Sequence, residues 1–241
     1  LNTYGVSLPG FPGIVIGFNE NISWGMTNVG HDVLDWYQIK WANNERTKYI
    51  LDDQVKNVEL KYETIYVNGG KTVIDTIRYT QWGPIVYESP KHPQQDMAMR
   101  WVAHDSGANE LQVLKNLATA KNYDDYINGI PAFHSPAQNI VFASREGDIA
   151  IKIQGKLPLK NKEQGRFVQD GSNSSNGWNG FIPTSQNPQI KNPERGFVSS
   201  ANQHSTSPDY PYYYNGYFEE YRGRILNRKL DSLQNIKAED L

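Results

Sequence analysis

The segment Gly30-His31-Asp32-Val33-Leu34-Asp35 places two carboxylates three residues apart in a turn between apolar runs. Both can point at one place, and a backbone carbonyl between them would add a third oxygen. Such hard oxygen donors suit Ca²⁺ rather than Zn²⁺. Two carboxylates supply fewer than the ~6–8 oxygens that Ca²⁺ takes, and the same residues serve equally as a solvated turn closed by an Asx bond. Asn202 sits between Ala201 and Gln203, just past an expected strand over Gly196–Ser200. A side-chain amide at a strand end can donate to a developing oxyanion, or it can simply close a turn. The run Asp209-Tyr210-Pro211-Tyr212-Tyr213-Tyr214-Asn215-Gly216-Tyr217 could stack sugars or line an acyl pocket. It could equally pack inside the fold with its phenol hydroxyls on polar partners.

Other chemistries find no support. The histidines are His31, His92, His104, His134 and His204, and no two share the i, i+4 spacing of a zinc pair. There is no cysteine, so a thiol nucleophile, a disulfide and a thiolate metal site are excluded within this stretch. Neither a Gly-x-Ser-x-Gly elbow nor a phosphate-binding glycine loop occurs. The formal net charge of −2 gives no general attraction for nucleic acid or anionic membrane. No stretch approaches the roughly 20 apolar residues of a membrane span. Leu1 is followed by no basic and apolar leader, so the sequence reads as an interior piece of a longer chain. It ends at Lys237–Leu241, where a further helix is expected to start.

The elements that must position these groups can be read from periodicity. Ile14–Phe18 and Ile22–Thr27 flank Asn19-Glu20-Asn21 and read as a strand pair. Asp35–Trp41 alternates, with Tyr37, Ile39 and Trp41 on one side. Strands are expected over Val55–Tyr66, Thr72–Tyr79, Gly83–Tyr87 and Met97–Val102. The link Val67-Asn68-Gly69-Gly70-Lys71 carries the Asn-Gly hairpin signal. Helical spacing of Leu111, Leu114, Leu117 and Ala118 predicts a helix over Asn109–Ala120, with Asn109 as cap and Gln112 completing a capping box. A second helix is expected over Tyr123–Ile130, ending before Pro131. Strands resume at Asn139–Ser144 and Ile149–Gln154. Residues 155–195 read as a long ordered loop pinned by Trp178, Phe181 and Ile182. A last helix spans Glu219–Leu233, with Ile225, Leu226 and Leu230 inward. With 12% aromatic residues and 241 positions, the chain can bury a sizeable core. The class is α+β with mostly antiparallel pairing.

In order along the whole chain, several segments together resemble the penicillin acylase family of N-terminal-nucleophile hydrolases. Leu8-Pro9-Gly10-Phe11-Pro12-Gly13, running on to Gly17-Phe18-Asn19, is similar to the family's Pro-Gly-x-x-x-Gly-x-Asn stretch. Ile22-Ser23-Trp24-Gly25-Met26-Thr27-Asn28 resembles its Trp-Gly-x-Thr signature. Gln138-Asn139 and Gly147-Asp148-Ile149 look like its paired strands. Trp178-Asn179-Gly180-Phe181-Ile182-Pro183, then Asn187-Pro188, Asn192-Pro193 and Gly196–Gln203, follow in the family's order, before Asp209-Tyr210-Pro211 and Arg224-Ile225.

The resemblance implies an αββα sandwich, incomplete in this stretch. Residues 1–241 would be part of the β-chain core, with a strand-rich insertion over about 45–105. It implies hydrolysis of a linear N-acyl amide, such as a penicillin side chain or an acyl-homoserine lactone, by an N-terminal Ser lying before Leu1. That Ser's own α-amine, with pKa near ~8, would act as base. Thr3 and Ser7 carry their nitrogens in peptide bonds and cannot replace it, so residues 1–241 alone are expected to be inactive. By the same resemblance, Asn28 supplies a backbone N–H and Asn202 a side-chain amide to the oxyanion, and Arg224 supports the site. Asp32, the Leu34 carbonyl and Asp35 match a structural calcium turn. An α-chain of the same precursor is the implied partner, and a periplasmic or secreted location is implied. Three departures bear on the metal: His31 replaces a small residue, Gly165 replaces a proline whose carbonyl faces the metal, and Tyr212-Tyr213-Tyr214 occupies the stretch of a further metal aspartate. The contrasting reading is a non-catalytic sugar- or peptide-binding domain that uses residues 209–217.

Overall fold

A computed structural model describes residues 2–89, 91–105, 107–216, 218–234 and 236–237. They form two compact units: Leu1–Asp32 with Ser106–Leu159 and Phe181–Leu241, and Val33–Asp105 with Lys160–Gly180. In chain order the first strands are β1 (Thr3–Val6), β2 (Ile16–Asn19), β3 (Ile22–Asn28), β4 (Leu34–Gln38), β5 (Lys48–Leu51) and β6 (Gln54–Asn57). Then come β7 (Glu59–Tyr66), β8 (Thr72–Thr80), β9 (Gly83–Tyr87) and β10 (Met97–Trp101). The helices α1 (Glu110–Thr119) and α2 (Tyr123–Gly129) follow. The chain continues through β11 (Gln138–Ser144), β12 (Ile149–Gln154), β13 (Gln169–Asp170), β14 (Gln189–Lys191) and α3 (Tyr221–Ser232).

The first unit is built on one sheet in the order β1-β2-β3-β11-β12-β14, antiparallel at every pairing. Strand alternation puts Ile22 and Trp24 of β3 on the same buried face as Ile140 and Phe142 of β11. Val113 and Leu117 of α1 and Tyr126 of α2 cover that face. Both helices start where the sequence supplies a cap. Asn109 Oδ1 accepts from the Gln112 N–H at 3.1 Å, and Asn122 Oδ1 from the Asp125 N–H at 2.9 Å. The capping box is only half formed, because the Gln112 amide donates forward to Asn116 Oδ1 at 2.7 Å. A second cluster of Ala137, Ile153, Leu157 and Ile182 takes Tyr210, Tyr212 and Tyr214 against it.

The second unit is a sheet in the order β13-β4-β10-β9-β8-β7, parallel only where β13 meets β4, with the small β5-β6 hairpin beside it in sequence. Its core holds Tyr37, Ile39, Tyr49, Trp82, Ile85 and Ala98. The rings of Tyr37 and Trp82 stack at 4.1 Å. The Asn-Gly link closes the β7–β8 hairpin as its sequence predicts, with Tyr66 opposite Thr72 and Gly69 at φ +95°.

Four expectations change. Residues 196–200 form no strand; their side chains bond outward instead, as when Ser199 Oγ donates to Asn227 Oδ1 of α3 at 2.9 Å. The run 55–66 is two strands, broken at Val58, whose N–H turns to the Thr47 carbonyl. Ile225 is 55% exposed, and the buried residue of α3 is Gly223. A Cβ at Gly223 would lie 3.0 Å from the Gln203 side chain, so this helix approaches by its smallest residue rather than by its isoleucine. The sequence pattern signals neither β1 nor β5, and the short strands β13 and β14 lie within residues 155–195, where it predicts a loop. The expected helix start beyond Lys237 lies outside the described residues. No helix among the described residues is long and apolar enough to cross a membrane.

These burial differences set a test. Leu117→Ala removes a fully buried side chain and is expected to cost about 2–5 kcal/mol. Ile225→Ala on the exposed flank of α3 is expected to change stability by no more than about 0.5 kcal/mol. Urea unfolding of the two variants checks the assignment; equal losses would overturn it.

Candidate active site

Asn28 is the last residue of β3, opposite Gln138 in the β3–β11 ladder. Three amide side chains converge on it within the first unit. Its carbonyl accepts from Asn202 Nδ2 at 3.0 Å and from Asn139 Nδ2 at 3.1 Å. Its own Oδ1 accepts from Gln138 Nε2 at 3.0 Å. Asn139 is 1% exposed, and its amide is used on both sides: Nδ2 also reaches Thr27 Oγ1 at 3.2 Å, while Oδ1 accepts from Ser205 Oγ at 3.2 Å. A short hydrogen bond joins Thr27 Oγ1 to Ser200 Oγ. The strand end is thereby tied to residues 200–205 through side chains rather than through a ladder.

Asn202 has φ +64°, a left-handed conformation that Asn tolerates better than branched residues. That conformation turns its side chain toward Asn28. Its Oδ1 accepts from Arg222 Nη2 at 2.5 Å. An amide carries two N–H donors; one goes to the Asn28 carbonyl, and a charged donor on the amide oxygen makes both N–H groups stronger donors. The structure therefore brings Asn28 and Asn202 together. Arg224 points elsewhere. It is paired with Glu220 one turn back, at 3.1 and 2.6 Å, on the exposed side of α3. Arg222, which does reach Asn202, carries no sequence signal that separates it from the other surface arginines. An open cleft of about 770 Å³ adjoins the cluster, lined by Asn139, Ile153, Ser199, Gln203, His204 and Ser205 among others.

The turn at 30–35 divides between the units. In the first, His31 is buried, with Nε2 3.2 Å from the Pro158 carbonyl and its ring edge-on to Tyr214. The Asp32 N–H donates to the Asn215 carbonyl at 2.5 Å. In the second, Asp35 is buried in β4. Its Oδ1 lies 3.1 Å from Lys160 Nζ, both side chains having no exposed surface. Its Oδ2 accepts from Trp178 Nε1 at 2.5 Å. Lys160 Nζ also donates to the Leu34 carbonyl at 3.3 Å. Ca²⁺ binds oxygens at about 2.3–2.6 Å, and an ammonium already lies where the Leu34 and Asp35 oxygens converge. The Leu34 and Asp35 oxygens are thus already met by a cation of the chain itself. Among the described residues, no three His, Asp or Glu side chains cluster as a metal site would need.

Tyr210, Tyr212 and Tyr214 pack against the core, while Tyr213 is exposed. Tyr210 Oη donates to the Gln186 carbonyl at 3.0 Å, and Tyr212 Oη makes a short bond to Gln186 Oε1. Burial pushes the Tyr210 phenol up to about 12, with the neighbouring Tyr212 adding to the shift. Burial likewise raises the Tyr214 phenol, whose ring lies edge-on to both His31 and His204. Tyr217 lies outside the described residues.

The family model described as penicillin amidase matches residues 1–241. An acyl-homoserine lactone acylase, QuiP, of Pseudomonas aeruginosa is 26% identical over 219 residues, covering 86% of this chain and 26% of that protein. Penicillin G acylase of Escherichia coli is 24% identical over 221 residues, covering 87% of this chain and 26% of that protein. The chain thus spans about a quarter of the length of these curated relatives. The solved structure of a thermostable penicillin G acylase from Alcaligenes faecalis superposes with a TM-score of 0.79 at 22% identity, over 99% of this chain and 45% of that one. At that identity the match speaks for the fold.

Asn139 offers a test of the amide cluster. Asn139→Asp turns a double donor into a carboxylate facing the Asn28 carbonyl, at an expected cost of about 3 kcal/mol at neutral pH. Repulsion and burial raise the folded-state pKa of the new carboxyl above its unfolded value near ~3.9. The penalty is therefore full above the folded pKa, falls as pH drops through it, and vanishes below the unfolded value. Thermal melts from pH 8 to 4 should show the deficit closing; a constant deficit would mean that Asn139 does not donate to Asn28.

Proposed function

Because this chain belongs to the penicillin amidase family, we propose that it forms the oxyanion-binding part of an enzyme that hydrolyses linear N-acyl amides. The observation that carries this reading is the approach of Asn202 Nδ2 to within 3.0 Å of the Asn28 carbonyl, from a segment 174 residues away in sequence. In such a site a nucleophile attacks the amide carbonyl and charge develops on its oxygen. The Asn28 N–H and the Asn202 side-chain amide receive that oxygen. Because both are fixed before the substrate arrives, they need no reorganisation as the charge appears. Asn139 and Gln138 hold the end of β3 in register, and Arg222 on Asn202 Oδ1 fixes which end of that amide donates.

The nucleophile in this reading is an N-terminal Ser outside residues 1–241, acting with its own α-amine as base. The span of about a quarter of the relatives' length leaves room for it, and for an α-chain that completes the acyl pocket. The substrate class follows from the relatives' names, an acyl-homoserine lactone or a penicillin-type side-chain amide, with a periplasmic or secreted location by the same resemblance. The cleft bordered by Ile153, Ser199 and Ser205 has a mixed lining suited to an acylated amine. The alternative of a sugar- or peptide-binding domain draws no support from the tyrosine run, whose hydroxyls at Tyr210 and Tyr212 are engaged by Gln186.

In the full-length protein, Asn202→Ala is expected to lower kcat by about 10²–10³ on an acyl-homoserine lactone or a chromogenic phenylacetyl amide, with an unchanged circular-dichroism spectrum. Full activity in this variant would remove Asn202 from the site. Residues 1–241 alone are expected to give no turnover; measurable hydrolysis would place the nucleophile inside this stretch.

A further inference from the structure

Buried in the second unit is a complete ion pair that the proposed amide chemistry does not use. Asp35 and Lys160 are both without exposed side-chain surface, 3.1 Å apart. A carboxylate taken out of water costs several kcal/mol unless it is paired and its remaining lone pairs are met. Here they are met: Trp178 Nε1 donates to Oδ2. An ammonium has three donors and no acceptor. Lys160 donates one to the Leu34 carbonyl at 3.3 Å, and its Nζ lies 3.1 Å from Asp35 Oδ1 as an ion pair. Its charge also lies 5.4 Å from the centre of the Trp178 ring, close enough for a cation–π attraction. Arg100 lies 4.3 Å from the Trp178 ring and is itself held by Asp105 at 2.7 and 3.1 Å. The indole that touches Asp35 is thus fixed by a second cation.

Two oxygens converging on one point, one a carboxylate and one a backbone carbonyl, are what a calcium turn presents. In this chain an ammonium fills that point. A divalent ion cannot share it, because it would sit against a positive charge in a site closed to solvent. Expelling Lys160 would strand a second buried charge. We infer that the Lys160 ammonium is a built-in cation that replaces calcium at Leu34 and Asp35, so that this turn is held without a metal ion.

The full-length protein, stripped with EDTA, tests this with Ca²⁺ and with Tb³⁺ as a luminescent stand-in. Trp178, in contact with Asp35, would sensitise a Tb³⁺ ion bound there. The charge-neutral double variant Asp35→Asn/Lys160→Met serves as the control for ions bound elsewhere. Wild type and double variant are expected to give the same Tb³⁺ luminescence and the same change in Tm on adding Ca²⁺. Luminescence present in wild type, displaced by Ca²⁺ and absent from the double variant would overturn the inference. Lys160→Met alone strands the Asp35 carboxylate and is expected to lower Tm by about 10 °C, with roughly half or more recovered in the double variant. An unchanged Tm in Lys160→Met would show that the ammonium does not hold the turn. Should that single variant fail to fold, the comparison of wild type with the double variant decides. None of these readouts depends on amide hydrolysis, so the outcome is separate from the fate of the proposed activity.

Discussion

The pairing of β3 with β11 is the constraint on which the first unit depends. It runs in register from Ile22 opposite Ser144 to Asn28 opposite Gln138. A strand's side chains alternate, so one registration does two tasks at once. It places Trp24 beside Phe142 in the core under α1 and α2. It also brings the last residue of β3 beside Gln138 and Asn139, whose amides grip Asn28 on its side chain and on its carbonyl. A slip by one residue would turn Trp24 to the other face and carry Asn28 past both amides. The core and the candidate site are therefore set by the same pairing, and the hydrophobic demand of the core guards the register that the polar groups need.

Asn139 shows how closely a buried polar group is bound to this design. A buried amide must find partners for both its donors and its acceptor, or its burial is costly. Asn139 finds them in Thr27, Asn28 and Ser205, which come from β3 and from the segment beyond residue 200. Residues 196–205 have no ladder of their own, and this network supplies their attachment. The left-handed turn at Asn202 is carried by a segment held at Ser199 by Asn227, at Ser200 by Thr27 and at Ser205 by Asn139. Such over-determination is how a loop presents a donor as fixed as one on a strand.

Local patterns made much of this legible. Apolar alternation disclosed β3, β11 and β12, helical spacing disclosed α1, and an Asn-Gly link disclosed the β7–β8 hairpin, because each signal comes from neighbours in sequence. What escaped depended on distant partners. β1 has an exposed apolar surface at Tyr4 and Val6 and pairs only through its edge with β2, so its residues carry little internal pattern. Residues 196–200 look like a strand in composition, yet side-chain bonds to α3 claim them. On α3, Ile225 is apolar but faces out, because Gly223 makes the close approach beside Gln203. The nearness of Asn28 to Asn202 came from family resemblance and not from any spacing, since 174 residues separate them. Arg222 had no signal at all; only the geometry distinguishes it from Arg224.

The Lys160–Asp35 pair raises a more general point about how a fold satisfies a buried anion. A bound ion stabilises a fold by mass action, so its contribution rises and falls with the free ion concentration. An ammonium on the chain is present at a fixed effective concentration whatever the medium. It loses side-chain entropy on being ordered, but it cannot be chelated or diluted away. It is also weaker in reach: with three donors it can satisfy a carboxylate oxygen and a carbonyl, whereas calcium gathers six or more oxygens from distant segments. A chain that adopts the lysine therefore no longer needs the outlying oxygens. The carboxylate of Asp35, the one donor that both solutions require, is the one that must remain.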